Sequence, residues 1–406
     1  MRLTARRSLM AAIAATITCV PLTAAAGPAA AREVTTSTAD HSTADHSTVD
    51  HWGTFFGQHR PGGNDTSLSP VSMTVPGHIV EIGTSNSTEY ALLANGALYA
   101  WGQGSHGQLG NGRLHDSFAR PVRVRFPHGV RIKSIPADVM PFDTGLAIDT
   151  KGHVWGWGFN YGGELCRGTS REYTRPVRLP FAQVTAVAGA SDHAIYDARD
   201  KLYMCGTNEF GELGDGTYKA SYRPVRVKHL SGERIEALMA SYGNTGALLK
   251  NGHYYVWGLD SRGQLGNGTV GHASDLPVKV SLPGRVEDAA LGGSLTNNGQ
   301  SLVILANGKL FAWGDDRYGQ LGDGGSGDEP SPVPISPPAG VTYQSLATSG
   351  ATSYAISRTG DVYAWGASSQ GQTGDGGLTP VLTPVSVVSG ATQISATAAD
   401  VAALIG

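Results

Sequence analysis

The chain has 406 residues, of which only 16% are charged and 56 are glycine, and its formal net charge is −3. Residues 1–31 carry three arginines and no acid, so a chain starting at Arg32 holds 27 basic and 33 acidic residues, a net charge of −6. Such mild acidity argues against a protein that clusters Lys and Arg on a phosphate backbone, and no nucleic-acid partner is expected.

Residues 1–31 read as an export signal. Arg2, Arg6 and Arg7 form its charged part, and Leu9–Val20 is apolar but too short to span a bilayer as a helix. Small residues at Ala24–Ala26 and Ala29–Ala31 suit cleavage. Arg6-Arg7-Ser8-Leu9-Met10 resembles a twin-arginine signal, although Ala5 replaces the usual Ser or Thr, so the general and the twin-arginine routes both stay open. The expected location is secreted and extracellular, with no membrane span after cleavage. Cleavage removes Cys19 and leaves Cys166 and Cys205. These occupy different slots in adjacent repeats. Two isolated buried thiols are favoured over a disulfide, which an oxidising compartment would allow.

Residues 32–51 are a disordered linker by composition. Three pentads, STADH, STADH and STVDH, start at Ser37, Ser42 and Ser47. Such polar, small segments bury too little surface to fold. His41, His46 and His51 with Asp40, Asp45 and Asp50 would make a weak metal tether, but a duplicated spacer is favoured and no metal is assigned.

From residue 52 the chain repeats. Trp101-Gly102 recurs as Trp157-Gly158, Trp257-Gly258, Trp313-Gly314 and Trp365-Gly366, and Cys205-Gly206 fills the same slot once. Six positions after each stands Gly107, Gly163, Gly211, Gly263, Gly319 or Gly371, followed by Gln or Glu and, in five of the six copies, Leu. A Pro-Val pair comes 19 or 20 residues after the tryptophan slot. Each unit opens with two short apolar runs joined by a turn, as in YALLANGALYAW, where Asn95-Gly96 suits a two-residue type I′ hairpin. Four short strands at a period near 50 residues mark a β-propeller blade.

The chain ends in ATQISATAADVAALIG, the first half of a repeat, and Trp52-Gly53 supplies the missing second half. The expected fold is therefore all-β: a seven-bladed β-propeller over residues 52–406, its last blade closed by strands from both termini.

Chemistry is hard to find. Gly102, Gly104 and Gly107 have the spacing of a dinucleotide loop, but no helix follows them and no other copy has a glycine at the Gly104 slot. They are framework. H-E-x-x-H, C-x-x-C, G-x-S-x-G and the Walker loop are all missing from the sequence. Asp323–Glu329, DGGSGDE, lacks the alternating ligands of a calcium loop and reads as a stretched blade loop. Asp315-Asp316 are paired acids, but no second carboxylate can be placed at a glycosidase separation. No catalytic residue, cofactor or metal is assigned.

What varies inside the fixed frame is the four residues after each Trp-Gly: QGSH, FNYG, TNEF, LDSR, DDRY, ASSQ and, at the N-terminal copy, TFFG. All should emerge on one face of the disc. Phe55, Phe56, His106, Phe159, Tyr161, Phe210, Arg262, Arg317 and Tyr318 lie there, and aromatic residues and arginines are typical interface anchors.

Trp-Gly, Gly-Gln-Leu-Gly-Asp-Gly and the following Pro-Val resemble the regulator-of-chromosome-condensation repeat family, over roughly residues 52–406. The match departs from the family pattern in places: a histidine common before the hairpin run stands only at His193. The resemblance implies a seven-bladed propeller serving as an interaction scaffold. Its eukaryotic relatives include an exchange factor for a nuclear GTPase, a role at odds with an export signal, and a secreted bacterial relative with shorter repeats inhibits β-lactamases. The expected function is an exported, non-catalytic, monomeric propeller that binds an unidentified protein partner through one loop face. A carbohydrate-active or cell-wall glycan-binding propeller is the alternative.

Overall fold

The structure is a computed structural model. It describes residues 46–60, 63–136, 142–190, 193–199, 201–294, 299–397 and 400–406, without the side chains of 46, 54–60, 63–67 and 400. The export signal and residues 32–45 lie outside the described residues. Every helix or strand assigned among the described residues is a strand, and the strands form seven four-stranded antiparallel sheets. Blade 1 contains Ile79–Ser85, Thr88–Leu93, Leu98–Gly102 and Ser117–Arg123, paired in that order. Blades 2 to 6 repeat this over 132–178, 184–226, 235–279, 286–335 and 343–388.

Blade 7 closes the ring. Its two inner strands, Ala391–Ala396 and Asp400–Ile405, come from the C-terminus, and its two outer strands, His46–Arg60 and Gly63–Pro76, from the N-terminus. Trp52 pairs with Val401 across the seam. The propeller therefore begins before Trp52. Residues 46–51, assigned to the linker from composition, are strand, and Val49 and His51 are buried. Pairing on both sides supplies the hydrogen bonds that their composition alone did not promise.

The second strand of each blade is packed between neighbouring sheets, and those of blades 1 to 6 are buried throughout. This explains why its sequence carries a short apolar run, such as YALL or LVIL, rather than an alternating pattern. The hairpins differ from the type I′ expectation. At Leu93–Ala97 only Gly96 has positive φ (79°), the Gly96 amide donates to the Leu93 carbonyl, and Leu93 and Ala97 are also bonded. This is a longer turn ending in a left-handed glycine bulge, a pattern that asks for one positive φ instead of two. Arg199, in the one hairpin lacking the glycine, itself takes φ 57°.

At five of the seven joints the repeat motif locks one blade to the next, while at the joint between blades 7 and 1 the buried Trp101 indole N–H has no hydrogen-bond partner among the described residues. The main-chain carbonyl after the loop glycine accepts the indole N–H of the following blade: Gln108 from Trp157 (2.8 Å), Glu212 from Trp257 (2.6 Å), Gln264 from Trp313 (3.0 Å), Gln320 from Trp365 (3.0 Å) and Gln372 from Trp52 (2.8 Å). Each indole is fully buried, contributing about 1.5–3 kcal/mol from apolar area. The next glycine of the motif must lack a side chain because the indole lies against it. A Cβ at Gly266, where φ is 63°, would stand 2.6 Å from Trp313 Nε1, and Gly110, Gly214, Gly322 and Gly374 are equally confined.

The remaining joint is built differently. Between blades 2 and 3 the tryptophan slot is Cys205 and the confined glycine is Cys166, which keeps the left-handed φ of 58°. The two are joined in a disulfide with Cα atoms 5.4 Å apart, so they are not the isolated thiols favoured from sequence. The space an indole fills elsewhere is bridged by sulfur, and the Glu164 carbonyl takes the Tyr196 hydroxyl instead (2.7 Å). Around the innermost strands side chains clasp the joint between blades 7 and 1 and add to those between blades 1 and 2 and between blades 5 and 6. Gln393 bonds both backbone groups of Ile82, Glu81 accepts the Ile135 amide, and Asp288 accepts the Leu346 amide.

Candidate protein-interaction face

The loops after Trp-Gly and the turns joining first to second strands share one end of the blades, because Gly102 pairs with Thr88 and Thr88 with Ser85. The variable tetrad of each loop is only partly free. The carbonyl of its first residue accepts from the second strand: Thr144 to Phe159 (2.6 Å), Asn244 to Leu259 (2.6 Å) and Thr352 to Ala367 (2.6 Å). Its second residue is buried as a loop staple: Asn160, Asn208, Asp260, Asp316 and Ser368. Its fourth donates its amide to the motif's Gln or Glu side chain, as His106 does to Gln108 and Tyr318 to Gln320 (both 2.9 Å). The third residue is exposed in blades 1 to 6, the first and fourth are mostly half-buried, and Asp315 at a first position is buried.

Three clusters occupy those positions. In the first, His106, Phe159 and Tyr161 come together. The His106 and Phe159 rings meet edge-on at 5.1 Å, and Tyr161 stacks beside Phe159 at 6.2 Å while remaining 61% exposed. Phe142 joins them 5.8 Å from Phe159, and His106 Nδ1 lies 2.9 Å from Glu172. In the second, Phe210 meets Tyr242 at 6.4 Å. In the third, Arg262 reaches across from blade 4 to Asp328 (2.6 Å), Arg317 grips both oxygens of Asp315 (2.9 Å each), and the Arg317 guanidinium lies over the Tyr318 ring. Burial pushes the Asp315 carboxyl up, but the Arg317 guanidinium, aided by Arg262, outweighs it and holds the group below its ordinary range. Phe55 and Phe56 fall in a stretch whose side chains lie outside the described residues.

Sequence reasoning missed Phe142, Tyr242, Glu172 and Asp328. The first two precede the second strands of their blades, so the signal was available: both turn types end at the same rim. Asp315 and Asp316 divide their labour, one paired with Arg317 and one stapling its loop to the Leu321 amide at 2.8 Å. The blade 5 loop is not stretched, since Gly314 pairs with Glu329 as Gly158 does with Tyr173. The longer loop belongs to blade 4, where Gly258 pairs with Ser274.

Acids with raised titration occur both in the loops, where burial brings Glu212 and Asp316 to about 7, and at the joints. Burial raises Glu81 to about 7 and Asp288 to about 6, each opposed by the amide it accepts. Among the described residues no three His, Cys, Asp or Glu side chains converge as metal ligands would, and no helix is long and apolar enough to cross a membrane. Two surface hollows, beside Gly96 and Phe126 and beside Gly252 and Arg285, lie at the hairpin end, away from the three clusters.

Comparison with known proteins finds the regulator of chromosome condensation (RCC1) repeat at residues 95–137, 151–196, 199–248, 251–296 and 307–356. The chain is 28% identical over 327 residues to the ultraviolet-B receptor UVR8 of Arabidopsis thaliana, covering 79% of this chain and 72% of that one. It is 27% identical over 313 residues to the E3 ubiquitin-protein ligase HERC2 of Homo sapiens, covering 75% of this chain but only 6% of that protein. Among solved structures, human WBSCR16 matches with a TM-score of 0.76 at 19% identity, covering 88% of this chain and 98% of that one. Prp20p from Saccharomyces cerevisiae, studied for its binding to Gsp1p and histones, matches with a TM-score of 0.74 at 18% identity, covering 89% and 92%. At such identities the structural likeness speaks for the fold alone.

Proposed function

Since the chain belongs to the RCC1 repeat family, whose propellers serve as scaffolds for protein interaction, we propose that it is an exported, non-catalytic propeller that binds another protein through the face carrying its Trp-Gly loops. An extracellular inhibitor is the form of that role which export fits. The observation that carries the reading is the first cluster. Framework contacts account for the buried half of each tetrad, yet Tyr161 projects, largely exposed, from a supporting stack of Phe159, Phe142 and His106. An aromatic ring backed by other rings and left open to solvent is the form of an interface anchor.

The relatives named above include a light receptor, a ligase and a protein binding Gsp1p and histones. They do different work on one scaffold, so the partner must be argued from the face and not from the fold. The ligase activity is not carried over, because the chain spans so little of HERC2. Two features support export. Residues 1–31 have the form of a signal, and a buried structural disulfide at a blade joint suits an oxidising compartment.

The test is capture of secreted and surface proteins by the full chain and by a Tyr161→Ala/Tyr318→Ala variant. A partner held by the first and lost by the second supports the reading. Equal capture by both overturns it and brings glycan arrays forward.

A further inference from the structure

Blades 4 and 5 both carry an aspartate at the staple. In blade 4 Asp260 Oδ1 accepts the Leu265 amide (3.1 Å) and Oδ2 the Thr269 hydroxyl (3.3 Å), whereas blade 5 has a glycine nine residues on and no such donor. In blades 2 and 3 the staple is an asparagine. Oδ1 of Asn160 and of Asn208 accepts the amide of the leucine five residues on, at 3.0 and 2.9 Å. Nδ2 donates to two carbonyls nine and eleven residues on: Thr169 and Arg171 in blade 2, Thr217 and Lys219 in blade 3. Ser368 of blade 6 likewise donates to the carbonyl nine residues on, that of Gly377. In blade 5 the staple is Asp316. Its Oδ1 keeps the leucine amide, at Leu321, but its Oδ2 is buried and has no hydrogen-bond partner. The loop has the length of its sisters in blades 2 and 3, so Gly325 and Gly327 occupy the places of the two accepting carbonyls. An ionised carboxylate oxygen offers a carbonyl only lone pairs, whereas a protonated one offers a donor.

We propose that Asp316 staples the blade 5 loop as a neutral carboxylic acid, donating where Asn160 and Asn208 donate, and that its ionisation loosens residues 317–328. The charged groups around it favour this. Asp315 and Asp323 belong to its own loop, and Asp328 accepts the Asp316 amide (3.0 Å). The two arginines nearby, Arg317 and Arg262 of the adjacent blade, are engaged by Asp315 and Asp328. Burial raises the Asp316 carboxyl to about 7 against the pull of the Leu321 amide, and Asp323, Asp315 and Asp328 add to the rise. The loop is thus closed in acid and loosened towards neutrality, and it presents Arg317 and Tyr318. The inference does not depend on that face having a partner.

Amide hydrogen exchange of residues 317–328, corrected for the intrinsic rate, tests it in the full chain. The folded acid titrates near 7 and the opened one near its ordinary value, so the opening constant should rise about tenfold per pH unit between pH 5 and 7 and level off above. Asp316→Asn should remove that slope, while the blade 2 and 3 loops stay flat as internal controls. Asn208→Asp should plant the slope in blade 3, which keeps the test open should the first variant fold poorly. An unchanged slope in Asp316→Asn overturns the proposal. So does protection restored at pH 8 by calcium in the wild type alone, which would mean that a cation fills the place of the proton. Loss of a captured partner in the Tyr161→Ala/Tyr318→Ala variant bears on the proposed function and leaves this result untouched.

Discussion

The joint between blades 2 and 3 can be converted to the form of its sisters. Replacing Cys166 with Gly and Cys205 with Trp restores both repeat residues together. The disulfide closes a separation of 39 residues, which in the chain-entropy account stabilises the fold by about 4 kcal/mol at 25 °C. The new indole would recover about 3 kcal/mol by burial and about 1 kcal/mol from a hydrogen bond to the Glu164 carbonyl. The double variant should therefore match the oxidised wild type to within about 1 kcal/mol. Denaturant unfolding with and without reductant reads this directly. The wild type should lose about 4 kcal/mol on reduction and the double variant nothing. Each single variant should be worse than the double. Cys166→Gly loses the bridge with no indole to replace it, and Cys205→Trp drives the indole against the Cys166 side chain, at about 1–3 kcal/mol for overpacking and with the bridge lost as well. A double variant no more stable than the worse single would refute the claim that the two departures compensate each other.

Three further outcomes follow from the same geometry. Trp313→Phe should cost about 2–4 kcal/mol, since it leaves the Gln264 carbonyl without its indole donor and a void at the joint, and thermal unfolding would show it. Glu81→Gln should be nearly neutral at pH 4 and stabilising at pH 8. The wild-type carboxyl titrates near 7 when folded and near its ordinary value when unfolded, so its contribution is full below about 4.5 and is lost as pH rises to about 7. The gain at pH 8 should be about 1–3 kcal/mol, read from denaturant curves at the two pH values. Tyr161→Ala should leave the unfolding free energy within about 0.5 kcal/mol of wild type, because the ring lies largely outside the core, and a larger loss would make it framework and not contact surface.

How much of this was legible in the sequence depends on whether the repeat speaks to a position. Blade number, ring closure and the shared loop face follow from spacing, because Trp-Gly and Gly-Gln-Leu-Gly recur often enough to separate fixed from free positions. The hairpins were misread because Asn-Gly specifies a left-handed glycine without specifying whether the preceding residue is left-handed too. The strand at residues 46–51 was missed because its stability comes from pairing with Asp400–Ile405, some 350 residues away along the chain, and not from its own polar composition.

The disulfide is the more instructive case, because both of its signals were present and were read apart. A glycine that faces the next blade's indole and a tryptophan that faces the previous blade's glycine are one contact seen from two repeats. When both positions of the same joint depart from the pattern, and both depart to cysteine, the contact has been exchanged and not lost. The same reading separates Asp316 from its neighbours. Asn160 and Asn208 define what the staple must do, namely accept from one amide and donate to two carbonyls. Asp260 shows how an ionised staple is satisfied, by the Thr269 hydroxyl, and Asp316, whose second oxygen has no such donor, stands out against all three. A repeat protein supplies its own controls, and a departure carries information in proportion to how fully the sister copies explain the position it occupies.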